Sequence, residues 1–188
     1  MATELTDAQV DWDRIAYLTR ELLLAIGEDS EREGLQGTPG RVAEFWKKFI
    51  EYEPGNLDAT FEAVTTDQMV VVSGMRVWSL CEHHLLPFWC DISIGYIAQD
   101  KVLGLSKFAR VAHKHAHKLQ IQERLVHEIA DEIEALTGSQ SIAVHARGHH
   151  TCMIMRGIRT DGTMMTSVMR GAFRQDATAR SEFLSLVQ

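Results

Sequence analysis

Residues 79–90 read SLCEHHLLPFWC and place two cysteines, two adjacent histidines and a glutamate in an otherwise apolar segment. Cys81 and His84 are separated by two residues, a spacing that lets one turn present two ligands to the same ion. Catalytic zinc typically takes three protein ligands and leaves one position for water. Because a short Cys/His pair arises easily by chance, this segment alone only suggests a metal site.

A second group of metal-binding residue types lies downstream in HHTCM, residues 149–153. His150 and Cys152 are two positions apart in a predicted strand, so we expect both side chains on the same face. Polar groups on one face of an apolar strand need partners, and a metal would supply one. We therefore predict that Cys81 and Cys152 are ligands, although either could instead be a small buried apolar residue. Cys90 is in register with two isoleucines on its strand and is predicted to be a core residue.

The pattern around these segments predicts an α+β fold. Alternating and β-branched residues predict strands, and a 3.6-residue apolar period predicts helices. The predicted strands are 67–80, 89–98, 141–158 and 163–173, and the predicted helices are 12–27, 37–52, two within 104–138 that part near 119–122, and 176–187. Thr38 is the expected N-cap of the second helix. Four strands in two pairs thus flank a helical pair, behind a helical arm.

The composition excludes several functional classes. The formal net charge of −7 argues against nucleic-acid binding through bulk positive charge. Three cysteines argue against a disulfide scaffold. No apolar run approaches the roughly 18 residues of a membrane span, and no charged-then-apolar leader opens the chain. We expect a cytoplasmic protein with reduced thiols and no membrane association.

Several segments together resemble the GTP cyclohydrolase I family. They are TPGR (38–41), SLCEHHLLPF (79–88), GLSKFAR (104–110), QIQERL (120–125) and HTCMIMRGIR (150–159), in the order and spacing of that family's signatures. The resemblance implies the tunnelling fold, in which an antiparallel four-stranded sheet carries a helical pair. It implies an N-terminal helical arm over 1–66 and a catalytic domain over 67–188. It also implies a toroidal homodecamer with sites between subunits.

The same resemblance implies a reaction and a metal. The family converts GTP and water into 7,8-dihydroneopterin triphosphate and formate, and it binds Zn²⁺ through residues that correspond to Cys81, His84 and Cys152. His83 and His150 correspond to the histidines that transfer protons. Without the resemblance, both would equally be read as buried, hydrogen-bonded histidines. The product would enter pterin, folate or deazaguanine synthesis.

The remaining motifs correspond to substrate contacts of the family. Glu123 matches its guanine-binding glutamate, and a carboxylate suits the adjacent N1–H and amino donors of guanine. Gln122 stands beside Glu123, and Leu105 is a further substrate-binding position. Ser106 and Lys107 match positions near the ribose and triphosphate, and the basic phosphate contacts correspond to Arg110, Arg156 and Arg41. Taken singly, Glu123 would be a solvated glutamate at a helix start, and each basic residue a surface charge.

Two departures from the family pattern bear on these expectations. Many relatives carry a lysine three residues after the arginine of TPxR, where this chain has Glu44, which puts one triphosphate contact in doubt. The segment AHKHAHK is rich in histidine where relatives often have arginine. We interpret His113, His115 and His117 as a helix surface and not as a second metal site.

Two alternatives remain open. One is another enzyme of the tunnelling fold, such as a pterin synthase or a deazapurine enzyme, although these lack the combination of CEHH, GLSK, QER and HxC. The other is a non-catalytic zinc- or nucleotide-binding relative. Zinc content measured together with GTP turnover would separate them.

Overall fold

The chain forms two compact units in this computed structural model, which describes residues 10–58, 60–64 and 67–188. The division falls between Tyr52 and Glu53. The domain boundary expected after residue 66 stays a prediction about where the catalytic domain begins.

The N-terminal unit is a pair of helices, as predicted. They are α1 (Trp12–Ala25) and α2 (Thr38–Ile50). The Asp11 carboxylate caps α1 by accepting a hydrogen bond from the backbone N–H of Arg14 at 2.8 Å. The prediction that Thr38 caps α2 is wrong, because Gly37 is the N-cap and Thr38 is already helical. Pro39 therefore lies in the first turn of α2. A backbone N–H at that position has no carbonyl partner within the helix, so the lack of one in proline costs no hydrogen bond.

The second unit is built on a mixed sheet with helices. Its strands are β1 (Thr60–Glu62), β2 (Met69–Cys81), β3 (Pro87–Ile97), β4 (Lys101–Leu103), β5 (Leu119–Gln120), β6 (Ile142–His150) and β7 (Thr163–Met169). Its helices are α3 (Leu105–Ala116), α4 (Gln122–Thr137), α5 (Thr151–Ile154), α6 (Ala172–Gln175) and α7 (Ala177–Leu186). The four long strands pair antiparallel in the order β2-β3-β6-β7, so the predicted four-stranded sheet and α+β class are confirmed.

Two further strand pairings were not predicted. The two-residue strand β5 pairs parallel with the end of β2, and this brings Gln120 opposite Cys81. Strands β1 and β4 form a separate antiparallel pair. Very short strands carry too few residues for an alternating pattern to be recognised in the sequence.

The main core lies between the sheet and the predicted helical pair α3/α4. Alternate residues of β3 are fully buried against it, as the period of two predicted: Cys90, Ile92, Ile94 and Tyr96. The helices contribute their apolar faces, including Phe108 and Val111 from α3 and Leu125 and Ile129 from α4. Each fully buried side chain of this size contributes about 1.5–3 kcal/mol. The core thus fixes the ends of β2, β3 and β6, where the candidate site lies.

A smaller apolar cluster involves the C-terminal helices. Phe173 and Phe183 pack with Ala143 of β6, and the Phe183 ring fills the space above Gly95, where a Cβ would lie within 2.8 Å of it. The predicted closing helix is confirmed as α7. Within the described ranges, no helix is long and apolar enough to cross a membrane.

Candidate active site

Three potential metal ligands meet at one end of the sheet. Ligand atoms of Cys81, His84 and Cys152 all lie within 4.8 Å of one another. Cys81 is the last residue of β2, His84 lies in the turn that leads to β3, and Cys152 follows the end of β6. Among the described residues, no other group of three or more His, Cys, Asp or Glu side chains could hold an ion in this way.

A tight turn after β2 brings His84 back towards Cys81. The Leu85 N–H donates to the Cys81 carbonyl at 2.8 Å, and the Cys81 N–H donates to the Leu86 carbonyl at 2.9 Å. Leu85 has a φ of 56°, a left-handed conformation that branched side chains rarely adopt. This backbone reversal places His84 Nδ1 3.7 Å from Cys81 Sγ.

The predicted geometry of the downstream ligand is wrong. Strand β6 ends at His150, and Cys152 lies in the single helical turn α5, so the two side chains do not share one face of a strand. The turn is held by Thr151, whose Oγ1 donates to the Pro87 carbonyl at 2.5 Å and whose carbonyl accepts from the Met155 N–H. This turn directs Cys152 towards Cys81, while His150 remains on the strand.

The donor set fits zinc. Zinc–sulfur and zinc–nitrogen bonds of about 2.3 and 2.0–2.1 Å at a tetrahedral angle separate the two donor atoms by about 3.6 Å. The observed separation of Cys81 Sγ and His84 Nδ1 is 3.7 Å. Burial raises the pKa of the Cys152 thiol, and the neighbouring Cys81 thiol raises it further. A cation between the two sulfurs would offset both effects by stabilising the thiolates.

Known proteins resemble this chain over most of its length. The family model described as GTP cyclohydrolase I matches residues 15–188. The chain belongs to the GTP cyclohydrolase I family. It is 42% identical over 179 residues to "GTP cyclohydrolase 1" of Hyperthermus butylicus, covering 95% of this chain and 92% of that protein.

Other members of the family show similar agreement over most of the chain. "GTP cyclohydrolase 1" of Deinococcus radiodurans is 44% identical, with 91% of this chain and 82% of that protein covered. "GTP cyclohydrolase 1 1" of Pseudomonas syringae pv. tomato is 45% identical, with 89% and 92% covered. The resemblance that the motifs suggested is thereby confirmed.

In this member of the GTP cyclohydrolase I family, His83 lies beside the three donors. Its Nδ1 is 3.9 Å from Cys81 Sγ, and its side chain is 65% exposed. Its Nε2 lies 3.9 Å from a carboxylate oxygen of Glu82, which is paired in turn with the Arg124 guanidinium. His83 is thus next to the candidate metal position and open to solvent.

His150 occupies a more enclosed position at the end of β6. Its ring stacks on Phe88 with centroids 4.7 Å apart, and its Nε2 lies 2.8 Å from Gln122 Oε1. Burial lowers the pKa of His150, Glu123 raises it, and His149 lowers it. The structure therefore brings His83 and His150 to the same end of the sheet in different environments.

The predicted substrate residues at the starts of α3 and α4 fall into two groups. Glu123 is exposed in the first turn of α4, and Leu105 and Ser106 are exposed at the start of α3. Gln122 is only 1% exposed, and its amide is bonded to protein groups. The first three side chains are accessible to a ligand, whereas that of Gln122 is enclosed.

The predicted phosphate contacts already have protein partners. Lys107 Nζ donates to the Asn56 carbonyl, and Arg110 Nη1 donates to the Pro54 carbonyl at 2.8 Å. Arg156 is exposed on the segment after α5, and its Nη1 contacts His84 Nε2. The carbonyl partners of Lys107 and Arg110 lie about fifty residues earlier in the chain, so no local pattern indicated them.

The N-terminal unit contains the remaining predicted phosphate contact. The Arg41 guanidinium donates to the Thr38 hydroxyl at 3.0 Å and to the Gly34 carbonyl at 3.3 Å. Glu44, the departure from the family pattern, pairs with Lys48 at 3.4 Å on the exposed side of α2.

The histidines of α3 are partly exposed and also make contacts that the sequence-based interpretation as a helix surface did not include. His115 Nε2 lies 2.5 Å from Glu132, and His115 Nδ1 lies 3.5 Å from Glu128, so this histidine is enclosed by acidic residues of α4. His113 and His117 are half-buried and lie close together, with ring centroids 5.7 Å apart. Packing of α3 against α4 produces these contacts, and the spacing of the histidines alone could not predict them.

Proposed function

We propose that this protein is a zinc-dependent GTP cyclohydrolase that converts GTP and water into 7,8-dihydroneopterin triphosphate and formate. The observation that carries the proposal is the meeting of Cys81, His84 and Cys152 within 4.8 Å at the end of the sheet that also carries His83 and His150. Membership of the GTP cyclohydrolase I family supports the same activity.

Zinc would be held by Cys81, His84 and Cys152. When bound, it supplies a nucleophile at neutral pH by lowering the pKa of water to about 7. The guanine C8 that must be attacked is a poor electrophile, so the ring also needs a proton at N7. His83 and His150 provide and receive protons near this position, since an imidazole side chain can act both as an acid and as a base.

The exposed carboxylate of Glu123 holds the guanine edge. It accepts from N1–H and from the exocyclic amine, an arrangement that adenine cannot reproduce because it lacks both donors in that position. Glu123 lies one helical residue from Gln122, whose side chain contacts His150, so base recognition and proton transfer are close together. Leu105 and Ser106, both exposed at the start of α3, are the residues that we assign to the substrate next to this edge, with Ser106 nearest the ribose as the family resemblance implies.

We assign the triphosphate contacts to Lys107, Arg110 and Arg156 of one subunit, with Arg41 contributed by a neighbouring subunit. A chain of net charge −7 must attract this anion through a local cluster, because its overall field is repulsive. Guanidinium groups suit phosphate oxygens because they donate two parallel hydrogen bonds.

Product analysis tests the activity. The protein is incubated with GTP, formate is quantified enzymatically, and the oxidised pterin product is identified by fluorescence and mass. One formate for each neopterin derivative supports the proposal. Formate released without a pterin would mean that the ring opens but does not close again, and no formate at all would overturn the proposed reaction.

We also propose that the protein acts as a homo-oligomer, a decamer as the family resemblance implies, with sites shared between subunits. Several apolar side chains beside the candidate site are exposed: Leu85, Leu105, Leu119, Met155 and Ile158. Covering them with a second copy of the chain would remove this apolar surface from water.

A mixing experiment tests the shared site. Arg41→Ala and His150→Ala proteins, each with greatly reduced activity alone, are dissociated, mixed and reassembled, and the oligomer mass is measured by light scattering. Recovered activity supports sites built from two subunits. A monomer with full activity would contradict the proposal.

A further inference from the structure

A buried glutamine beside the candidate catalytic histidine has a fixed orientation. Gln122 Nε2 donates to the Met164 carbonyl at 3.0 Å and to the Ala146 carbonyl at 3.3 Å, and it lies 3.1 Å from Thr166 Oγ1. Carbonyl oxygens can only accept hydrogen bonds. Rotating the amide by 180° would place its oxygen against two carbonyl oxygens, so the amide nitrogen must face β6 and β7.

This orientation determines which proton His150 carries. Gln122 Oε1 lies 2.8 Å from His150 Nε2, and an amide oxygen can only accept. Nε2 of the neutral ring must therefore carry the hydrogen. Nδ1 is then the nitrogen that holds the lone pair and exchanges protons.

Two neighbouring residues keep the hydrogen-bonded pair of Gln122 and His150 in place. Phe88 stacks on the His150 ring with only 12° between the planes, which restricts tilting of the imidazole. Gly148 lies beneath the glutamine, and a Cβ at that position would overlap Gln122 Oε1 and lie 3.0 Å from Cys90 Sγ. The absence of a side chain at Gly148 thus leaves the room that Gln122 occupies.

We propose that Gln122 is a positioning residue that sets the tautomer and ring orientation of His150, and not a substrate contact as the family resemblance suggested. The kinetic part of this inference rests on the proposed GTP cyclohydrolase activity. The tautomer of His150 does not depend on any substrate. The inference about the tautomer and the proposed GTP cyclohydrolase activity can therefore fail separately.

The first test is the tautomer in the zinc-loaded protein. Two-bond ¹H–¹⁵N correlation spectra of ¹⁵N-histidine-labelled protein distinguish the two neutral forms, and the His150→Asn variant identifies the His150 signals. We expect the Nε2–H form in the parent protein and loss of this preference in Gln122→Met. An Nδ1–H form in the parent would overturn the inference, whether or not GTP is turned over.

Kinetics provide the second test. Gln122→Met should lower kcat about 10-fold or more and leave the KM for GTP within about twofold, because proton transfer is impaired and substrate contacts are intact. Gln122→Glu keeps an acceptor opposite Nε2 and should retain more activity than Gln122→Met. Gly148→Ala, which displaces the amide by a different route, should reproduce the loss and decides the question if Gln122→Met does not fold.

Ser139→Ala is the matched control. Ser139 is also buried, and its hydroxyl bonds the Ile97 carbonyl at 2.7 Å, so this variant loses a buried hydrogen bond elsewhere in the unit. Its kcat should match that of the parent, and equal losses in the control and Gln122→Met would overturn the inference. A raised KM with unchanged kcat in Gln122→Met would identify a substrate contact and also contradict it.

Discussion

The imidazole of His150 lies nearly parallel to the ring of Phe88, with centroids 4.7 Å apart and 12° between the planes. Phe88 is buried in the core, so the stack fixes one histidine of the candidate pair. The His83 ring instead meets the edge of the His84 ring, with centroids 6.1 Å apart, and its side chain is largely exposed. The two histidines of the candidate pair thus differ in packing and in access to solvent.

The acid/base pair is predicted to act without binding the metal. His83→Ala and His150→Ala should retain zinc and GTP binding but lose turnover by about 100-fold or more, because each removes a proton-transfer group. Metal analysis beside a rate measurement tests both. If either purified variant lacks zinc, that histidine is a ligand and the assignment is wrong.

Glu123 is predicted to determine base recognition. Glu123→Ala leaves two guanine donors without an acceptor, which costs about 1–3 kcal/mol, or a roughly 5- to 150-fold weaker affinity for GTP. Calorimetry in the His150→Ala background measures binding without turnover. Asp131→Asn, another exposed acidic residue of α4, should bind GTP normally. Equal affinity of the Glu123→Ala protein and its parent would make Glu123 a solvated surface residue.

The triphosphate is predicted to supply much of the affinity. Arg156→Ala should weaken GTP binding by roughly 1.5–3 kcal/mol, as expected for a charge-assisted bond, and GTP should bind much better than guanosine. Affinity for GTP should also decrease as salt rises. Lys101→Ala, which removes an exposed cation of β4, is the control. Equal affinity for guanosine and GTP would eliminate the phosphate cluster.

Acid stability is predicted to depend on Glu128. Burial would raise the pKa of this carboxyl, but hydrogen bonds from His115, Lys118 and Gln120 lower it to about 2. A depressed pKa in the folded state means that Glu128 stabilises the protein above its ordinary value near 4.5. This stabilising contribution is lost as the pH falls from about 4.5 towards 2.

Urea unfolding between pH 6 and 3 measures this contribution. The free energy of unfolding should decrease less steeply with falling pH in Glu128→Gln than in the parent, because the variant has no carboxylate at position 128 to protonate. Glu44→Gln, which removes an exposed partner of Lys48, should retain the parent's slope. Identical slopes in Glu128→Gln and the parent would contradict the prediction.

The sequence predicted the sheet, the helical pair and the grouping of the candidate metal ligands for identifiable reasons. The alternation from Cys90 to Tyr96 reflects the packing of one side of β3 against the main core, and the spacing of Cys81 and His84 reflects one tight turn. The error at Cys152 arose because an apolar run does not reveal the bond from Thr151 to Pro87, sixty-four residues away, which turns the chain into α5.

The roles of several polar side chains could not be predicted for the same physical reason. Gln122 and Lys107 have partners that are forty to fifty residues distant in the chain, on β7 and in the segment before β1. Such contacts exist only once the strands and helices have packed, and they decide whether a polar side chain faces a ligand or the protein.

We propose that Cys81, His84 and Cys152 hold the zinc on which GTP hydrolysis depends. Cys152→Ser, Cys81→Ser and His84→Ala should each be purified without zinc, since three ligands leave no substitute. Cys90→Ala is the matched control, and it should retain zinc with a stability loss of about 1 kcal/mol for a smaller core side chain.

Zinc titration shows whether the activity requires this metal at these ligands. Zinc is removed from the parent protein with a chelator and added back in steps while the rate of neopterin triphosphate formation is followed. We expect the rate to rise in proportion to bound zinc, to reach a plateau at one ion per chain, and to stay at background in Cys152→Ser. Full activity in the zinc-free parent, or stoichiometric zinc in Cys152→Ser, would contradict this expectation.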